Sequence, residues 1–318
     1  MLAVGLDGSG DAPPGSSLFV AVPIPSPMRR AILLALLVLV VAASADAAPR
    51  DPTAQASLAG LQVALIRQGL YPGPVDGLAG ADTTTALRTF ERSKKLPETS
   101  RLTRAVRAAL GPWARYHLDQ RVLRAGDRGW GVAELQFLLA WHGFPSALFT
   151  GTFNTHVKAA LQRYQTWAHL TPDGLAGTTT LTSLRSTPVP HCPIALAWPV
   201  RAPISSPFGP RGFGFHSGID LTAAFGTPVG ATAPGKVIWA GPMSGGWGKL
   251  VIVSHGRGVE SLYAHLSRIE VAVGQTVSVG DQLGLVGRTG DAIGAHLHFE
   301  VRVRGAAVDP LPALPMRH

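Results

Sequence analysis

The sequence predicts two small three-helix bundles followed by an antiparallel all-β domain, and two patterns support this fold class. The chain matches itself at a constant offset of 74 residues, which places Leu61-Gln62 on Leu135-Gln136 and Gly77 on Gly151. Apolar residues inside each copy follow the helical period. In the last third of the chain, short runs rich in valine, isoleucine and leucine alternate with glycine-rich turns and show no helical period.

The two helical repeats are expected over residues 55–113 and 121–186. Gly80 and Asn154 occupy the positions where an N-cap would begin the middle helix of each copy. Each repeat is near the small end for an independent core, whereas roughly 120 residues comfortably support a single β domain. We therefore expect three folding units, with a semi-rigid proline-rich linker over residues 187–200.

In the β domain, expected over residues 201–315, the segments 249–253, 282–286 and 297–303 are predicted strands. The last of these overlaps the motif His296-Leu297-His298. Because alternate side chains of a strand point to the same face, both imidazoles would lie on one face.

Two further segments carry potential metal ligands. In His216-Ser217-Gly218-Ile219-Asp220 the two ligand-type side chains are an even number of residues apart, so they can share one face of an extended segment. His265 lies between the two pairs, in Tyr263-Ala264-His265-Leu266. This set of side chains is typical of a catalytic zinc site, which takes three protein ligands and keeps a fourth position open.

Other zinc sites are excluded by the residues present. The chain has one cysteine, Cys192, so a cysteine-rich structural site is impossible. The sequence also contains no His-Glu-x-x-His motif, in which two histidines on one face of a helix bind zinc.

The C-terminal segment resembles the LytM or lysostaphin-type zinc metallopeptidases, peptidase family M23, whose domain is an antiparallel β fold of the duplicated hybrid motif. The resemblance rests on landmarks in the family's order: Pro207-Phe208-Gly209-Pro210-Arg211, Gly226-Thr227-Pro228-Val229, Ala233-Pro234-Gly235-Lys236-Val237, Gly246-Trp247-Gly248, Leu262-Tyr263-Ala264-His265-Leu266, Gly274-Gln275, Val286-Gly287-Arg288-Thr289-Gly290 and His296-Leu297-His298-Phe299-Glu300. It implies Zn²⁺ as the only cofactor, with His216, Asp220 and His298 as metal ligands. It also implies that His265 and His296 are catalytic residues beside the open coordination position.

Several nearby residues have two interpretations each. Glu300 lies on the same predicted strand face as His298 and either orients a ligand imidazole or is a charged strand end. Arg211 and the loop 241–248 either line a substrate groove or belong to simple hairpin turns. His255 is expected to close a hairpin.

Cys192 lies in the predicted linker and has no partner for an intramolecular disulfide. It is therefore either a free thiol or an intermolecular crosslink. A third interpretation is that His191 or Cys192 blocks the metal site in a latent form.

The helical copies resemble peptidoglycan-binding domains of the three-helix type, most clearly at Thr171-Pro172-Asp173-Gly174-Leu175-Ala176-Gly177-Thr178. The matching residues are mostly core and turn positions. The resemblance implies peptidoglycan as the binding target, and a structural role as a spacer or inhibitory prosegment is the alternative.

The N-terminal residues predict an extracytoplasmic location. Met28-Arg29-Arg30, the apolar run 31–43 and Ala45-Asp46-Ala47 match a secretory signal peptide over residues 28–47. The apolar run is shorter than the ~20 residues that a spanning helix needs, so we expect cleavage and no stable membrane span, with a retained anchor as the alternative. Residues 1–27 fit poorly before a signal and are interpreted as a mis-called upstream extension, with Met28 as the initiator.

The charge distribution favours a polyanionic partner. Residues 48–197 carry 16 basic and 9 acidic residues, a net charge of +7, whereas residues 198–318 carry 10 and 7, a net charge of +3. Such a field would concentrate the protein near anionic wall polymers. No nucleic-acid-binding module is present, so nucleic acid is not an expected partner.

Together these observations predict a secreted, wall-associated zinc metalloendopeptidase that hydrolyses peptide bonds in peptidoglycan stem peptides or cross-bridges. One alternative is a non-catalytic wall-binding regulator of other cell-wall hydrolases. A second alternative is a secreted peptidase that acts on glycine-rich or elastin-like protein chains.

Overall fold

The structure is a computed structural model and describes residues 52–114 and 117–316. The predicted signal peptide, residues 28–47, and the predicted upstream extension, residues 1–27, lie outside the described residues. Among the described residues, no helix combines the length and the apolar character that crossing a membrane requires.

Six α-helices form the N-terminal half of the described chain, three in each predicted repeat. They are α1 (Pro52–Arg67), α2 (Ala81–Ser93), α3 (Arg104–Leu110), α4 (Trp130–Trp141), α5 (Thr155–Trp167) and α6 (Thr178–Ser186). As expected, the Asn154 side chain caps α5 by accepting a hydrogen bond from the Val157 amide at 3.0 Å. Gly80 precedes α2 and offers no side-chain cap.

The two repeats share one hydrophobic core, so they differ from the two independent folding units that we expected. Their buried apolar residues, from Ala56 to Leu184, form a single cluster, which also includes Ala306 of the C-terminal domain. The first helices of the two repeats, α1 and α4, pack against each other, and a Cβ at Gly60 would collide with the indole of Trp130. Burying one helix of each repeat against the other gives two small units a joint core.

Buried glutamines fix the turns of both repeats. Gln165 donates to Asp173, to the Leu175 carbonyl and to Thr180, and it accepts from the Gly174 amide. Gln62 makes the equivalent bonds around Asp76-Gly77 in the first repeat. Since each glutamine is fully buried and fully paired, these networks specify the turn conformation.

Thirteen strands form the C-terminal domain: β1 (Ile204–Ser206), β2 (Gly209–Arg211), β3 (Gly214–His216), β4 (Ile219–Leu221), β5 (Pro228–Gly230), β6 (Gly235–Met243), β7 (Gly248–Ser254), β8 (Val259–Leu266), β9 (Arg268–Ile269), β10 (Thr276–Val277), β11 (Gln282–Leu285), β12 (Leu297–Val303) and β13 (Ala306–Val308). The main antiparallel sheet has the order β1-β4-β12-β8-β7-β6-β10, with β13 beside β12. A second sheet has the order β5-β11-β9, and β2 pairs with β3. The three predicted strands correspond to β7, β11 and β12, and the predicted fold class is confirmed.

The second half of the predicted linker belongs to the β domain. Leu196 and Val200 are buried in the core of that domain. The Leu196 amide donates to the Ala313 carbonyl, and the Ala197 amide donates to the Thr232 carbonyl. This part of the segment is therefore fixed by apolar burial and backbone pairing and does not act as a spacer.

Candidate metal centre

Two neighbouring strands place the acidic candidate ligand opposite a histidine. His298 on β12 is the direct register partner of Asp220 on β4. Side chains at paired positions of adjacent antiparallel strands lie about 5 Å apart, so both point to the same side of the sheet. Gly218 permits this arrangement, because a Cβ there would collide with the carbonyl oxygen of Phe299 on β12.

His216 reaches the same point by a different route from the one predicted. Its strand, β3, ends at His216, and the chain bends at Ser217-Gly218 before β4 begins. His216 and Asp220 therefore converge through a bend between two short strands and do not share a face of one continuous strand. The Nδ1 atom of His216 lies 2.9 Å from the Pro207 carbonyl, which accepts a hydrogen bond from it and leaves Nε2 free to face Asp220.

The three predicted metal ligands form a compact triangle of donor atoms. His216 Nε2 lies 3.0 Å from both Asp220 Oδ1 and His298 Nδ1, and His298 Nδ1 lies 2.9 Å from Asp220 Oδ1. A tetrahedral zinc ion bound at ~2.0–2.1 Å spaces its ligands about 3.3 Å apart. The triangle is within a few tenths of an ångström of that spacing, and two imidazoles with one carboxylate are a zinc donor set. The residues present therefore fit the metal.

The pKa values in the triangle reflect the short contacts. Burial opposes ionisation of Asp220, but hydrogen bonds from His216 and His298 outweigh it and hold the pKa of this carboxyl well below its usual range. Burial lowers the pKa of His216. Burial also acts to lower the pKa of His298, but its bonds to Asp220 and Glu300 raise it. Without a cation, the Asp220 carboxylate thus favours a proton on His298, whereas burial favours the neutral form of His216.

Glu300 lies behind His298 and is fully buried. Its Oε2 accepts a hydrogen bond from Ser217 Oγ at 2.5 Å and lies 3.5 Å from His298 Nε2, while its Oε1 accepts from Arg302 Nε at 2.6 Å. Burial opposes the negative charge, but Arg302 and His298 hold the pKa of Glu300 at about 2. Of the two interpretations from the sequence, this geometry matches a carboxylate that orients a ligand imidazole.

His265 and His296 lie together at the edge of the triangle. Their ring centroids are 4.7 Å apart, and His265 lies 6.0 Å from His298. Nδ1 of His265 is 2.8 Å from the Thr289 carbonyl oxygen. This contact fixes the ring through Nδ1 and does not engage the other ring nitrogen, Nε2. His265 has a φ of 62°, a left-handed conformation that non-glycine residues rarely adopt. His296 Nε2 lies 3.8 Å from Asp220 Oδ1.

Arg211 and Trp247 complete the surroundings of the triangle. Arg211 Nη1 donates to Asp220 Oδ2 at 2.8 Å, so it neutralises the second carboxylate oxygen. Trp247 lies in the turn between β6 and β7, and its ring is 5.5 Å from that of His298. Of the predicted loop 241–248, only residues 244–247 form the hairpin turn, and this turn reaches the site through Trp247. The resemblance seen in the sequence includes Gly246-Trp247-Gly248 but assigns Trp247 no individual role, because a single aromatic residue between glycines has no spacing signal.

The other singled-out residues lie away from the triangle. The His255 amide donates to the Val259 carbonyl and closes the turn between β7 and β8, as expected. Cys192 packs partly buried against the β-domain core, and its Sγ donates to the Ile194 carbonyl at 3.4 Å. Burial raises the pKa of this thiol.

Comparisons with known proteins identify both parts of the chain. Residues 214–310 match peptidase family M23, and residues 55–110 and 128–184 each match the peptidoglycan binding domain family. The chain thus contains a peptidase family M23 domain, which follows two peptidoglycan-binding repeats.

Relatives of the peptidase domain include both enzymes and an activator. The DD-carboxypeptidase/endopeptidase Mpg of Neisseria meningitidis is 46% identical over 119 residues, which are 35% of this chain and 27% of Mpg. The murein hydrolase activator NlpD of Escherichia coli is 37% identical over 120 residues, 38% of this chain and 31% of NlpD. The chain thus spans less than a third of the length of these relatives. The catalytic domain of lysostaphin from Staphylococcus simulans is 33% identical and has a TM-score of 0.34, with 35% of this chain and 90% of that domain covered.

Proposed function

We propose that this protein is a zinc metalloendopeptidase that hydrolyses peptide bonds in the stem peptides or cross-bridges of peptidoglycan. The observation that carries the proposal is the triangle of His216, Asp220 and His298, whose donor atoms all lie within 4.8 Å of one another. A zinc ion held there would lower the pKa of a bound water and polarise the scissile carbonyl. The second pair of histidines beside the triangle supplies the protein groups that such a reaction needs.

In this proposal His265 transfers the proton, and His296 stabilises the negative charge that develops on the substrate. His265 gives its Nδ1 to the Thr289 carbonyl, so its Nε2 is the atom that takes or returns a proton. His296 lies with its Nδ1 3.0 Å from the Gly294 carbonyl, and its Nε2 is directed toward the triangle. From that position it can donate a hydrogen bond to an oxyanion of the substrate. Arg211 orients Asp220 through its hydrogen bond to Oδ2.

The substrate class is supported by the helical repeats and by the Mpg relative. Two peptidoglycan-binding repeats precede the peptidase domain, and the name of Mpg describes a DD-carboxypeptidase and endopeptidase. Hydrolysis of wall peptides explains both features with one substrate. A peptidase for glycine-rich protein chains would have no use for the repeats. We further propose a secreted, wall-associated location, which the predicted signal peptide supports.

Peptide-bond hydrolysis is tested with purified peptidoglycan and the zinc-loaded protein lacking residues 1–47. The assay measures the release of new amino groups, and mass spectrometry of the fragments identifies the bond. We expect release that His298→Ala abolishes, since this variant lacks one of the three ligands. The matched control is His255→Ala, which removes a histidine outside the triangle and should keep the activity. Equal activity of His298→Ala and the unaltered protein would contradict the proposal.

A regulatory function is the second candidate, because NlpD is described as a murein hydrolase activator. In that case the protein would bind peptidoglycan and zinc but release no amino groups by itself. Adding it to a purified amidase would then increase the release of wall fragments. The presence of His265 and His296 beside the three candidate ligands favours the enzyme.

A further inference from the structure

The hairpin that ends at His216 is held at its tip by both helical repeats. The Val75 amide donates to the Gly212 carbonyl at 2.9 Å, and the Phe149 amide donates to the Phe213 carbonyl at 2.6 Å. Val75 and Phe149 are separated by the 74 residues that relate the two repeats. Equivalent backbone positions of the two repeats therefore bind consecutive residues of one hairpin, formed by β2 and β3.

Trp141, the last residue of α4, packs against the base of the same hairpin. Its ring centroid lies 5.3 Å from that of Phe215 and 6.3 Å from that of Phe208, both edge-to-face. The two phenylalanine rings also contact each other, with centroids 5.0 Å apart. The buried Trp141 Nε1 finds no hydrogen-bond partner among residues 52–114 and 117–316. Trp141 therefore contributes to this contact through its ring and not through a polar bond.

Both phenylalanines adjoin the groups that orient His216. Phe215 directly precedes His216, and Phe208 directly follows Pro207, whose carbonyl lies 2.9 Å from His216 Nδ1. In the hairpin register, His216 pairs with Gly209, the residue after Phe208. Any movement of the two rings thus displaces both ends of the hydrogen bond that directs His216 Nε2 toward Asp220.

We propose that Trp141 of the second repeat is a positioning residue for the zinc site, acting on His216 through Phe208 and Phe215. The inference rests on the zinc site of the proposed function and extends it, because it assigns the helical repeats a role in building that site. The repeats are then a fixed support of the metal centre in addition to any wall binding.

A second contact between the helical repeats and the β domain provides a matched control. The Arg304 guanidinium lies over the ring of Trp167 at 5.0 Å from its centroid. Arg304→Ala removes a contact between the repeats and the β domain without touching the hairpin. Comparing this variant with Trp141→Ala therefore distinguishes a weaker contact between the repeats and the β domain from the loss of the ring that packs against the hairpin.

The test compares Trp141→Ala, Trp141→Phe and Arg304→Ala in the full chain. Zinc dissociation constants are measured by competition with a chromophoric chelator, and hydrogen exchange is measured for the amides of residues 209–216. We expect Trp141→Ala to weaken zinc binding about 10-fold, at the lower end of the effect of removing a partner that orients a metal ligand. Exchange in the hairpin should accelerate. Trp141→Phe, which keeps an aromatic ring, should restore both values to within about twofold, as should Arg304→Ala.

Two results would overturn the inference. One is a zinc dissociation constant of Trp141→Ala equal to that of the unaltered protein, and the other is equal weakening by Arg304→Ala. If Trp141→Ala does not fold by circular dichroism, Phe208→Leu tests the same contact from the hairpin side and should give the same weakening. An unaltered protein that binds no zinc would refute the proposed function, whereas hairpin exchange would still decide whether Trp141 supports the hairpin.

Discussion

Replacing Glu300 with glutamine tests how much the buried carboxylate behind the metal centre contributes. Glutamine keeps the shape of the side chain but removes the negative charge that Arg302 and His298 face. In the unaltered protein both carboxylate oxygens accept hydrogen bonds, one from Ser217 Oγ and one from Arg302 Nε. The amide NH₂ of glutamine can accept neither, so one of these bonds is lost. We expect both a loss of stability and weaker zinc binding.

The expected loss of stability follows from the pKa of Glu300. The folded protein lowers it from the ordinary value of 4.5 to about 2, because the attraction of Arg302 and His298 exceeds the cost of burial. At about 1.4 kcal/mol for each tenfold change in proton affinity, this difference corresponds to about 3 kcal/mol at neutral pH. Removing one partner of a buried ion pair costs a similar amount, about 3–5 kcal/mol. Loss of the carboxylate that orients His298 should also weaken zinc binding about 10- to 100-fold.

The assay is urea unfolding of the metal-free proteins at several pH values, with zinc affinity measured separately. The pKa of Glu300 is lower in the folded state than in the unfolded state. Its contribution is therefore fully present above about pH 4.5 and is lost as the pH falls toward 2. The difference between the two proteins should be largest at neutral pH and shrink in acid.

Glu98→Gln is the matched control for Glu300→Gln. It breaks the exposed Arg92–Glu98 ion pair of 2.8 Å and should leave the free energy of unfolding unchanged. The reasoning on Glu300 is refuted if Glu300→Gln unfolds at the same urea concentration as the unaltered protein at pH 7 and binds zinc equally well.

Three other substitutions have definite expected outcomes. His265→Ala should reduce kcat on peptidoglycan about 10²- to 10⁴-fold. Its zinc affinity should change little, since His265 is not one of the three candidate ligands. A loss of zinc affinity of the same size in a chelator titration would contradict this. Gly218→Ala should destabilise the protein by more than about 2 kcal/mol in urea unfolding, because its Cβ collides with the Phe299 carbonyl. Gln165→Leu leaves the groups of a buried turn unpaired and should lower the melting temperature clearly, whereas Gln162→Leu, which loses one exposed bond, should not.

The helical fold was predictable because its signals are local and repeated. Periodic apolar residues and the 74-residue offset identified both repeats, and Asn154 marked the start of a helix correctly. The common core of the repeats was not predictable, because the buried residues of α4 include nearly the whole helix. A helix that is apolar on all sides must be buried, but its sequence does not indicate which element packs against it.

The candidate metal site was predictable as a set of residues but only partly as a geometry. Alternation along β12 correctly indicates that His298 and Glu300 share a face: His298 belongs to the triangle, and Glu300 lies behind it. The convergence of His216 depends on the bend at Ser217-Gly218 and on a long-range bond to Pro207. A pattern of side-chain spacing holds no information about such a bend.

The aromatic residues of the β2–β3 hairpin and its base have a practical consequence for solubility. Phe213 and Phe215 pack against the helical core, and Phe208 contacts Trp141. A peptidase domain produced without the repeats would present these rings to water as one contiguous apolar patch. We expect such a fragment to self-associate more readily than the whole chain, and replacing the exposed rings with polar residues would be the first remedy.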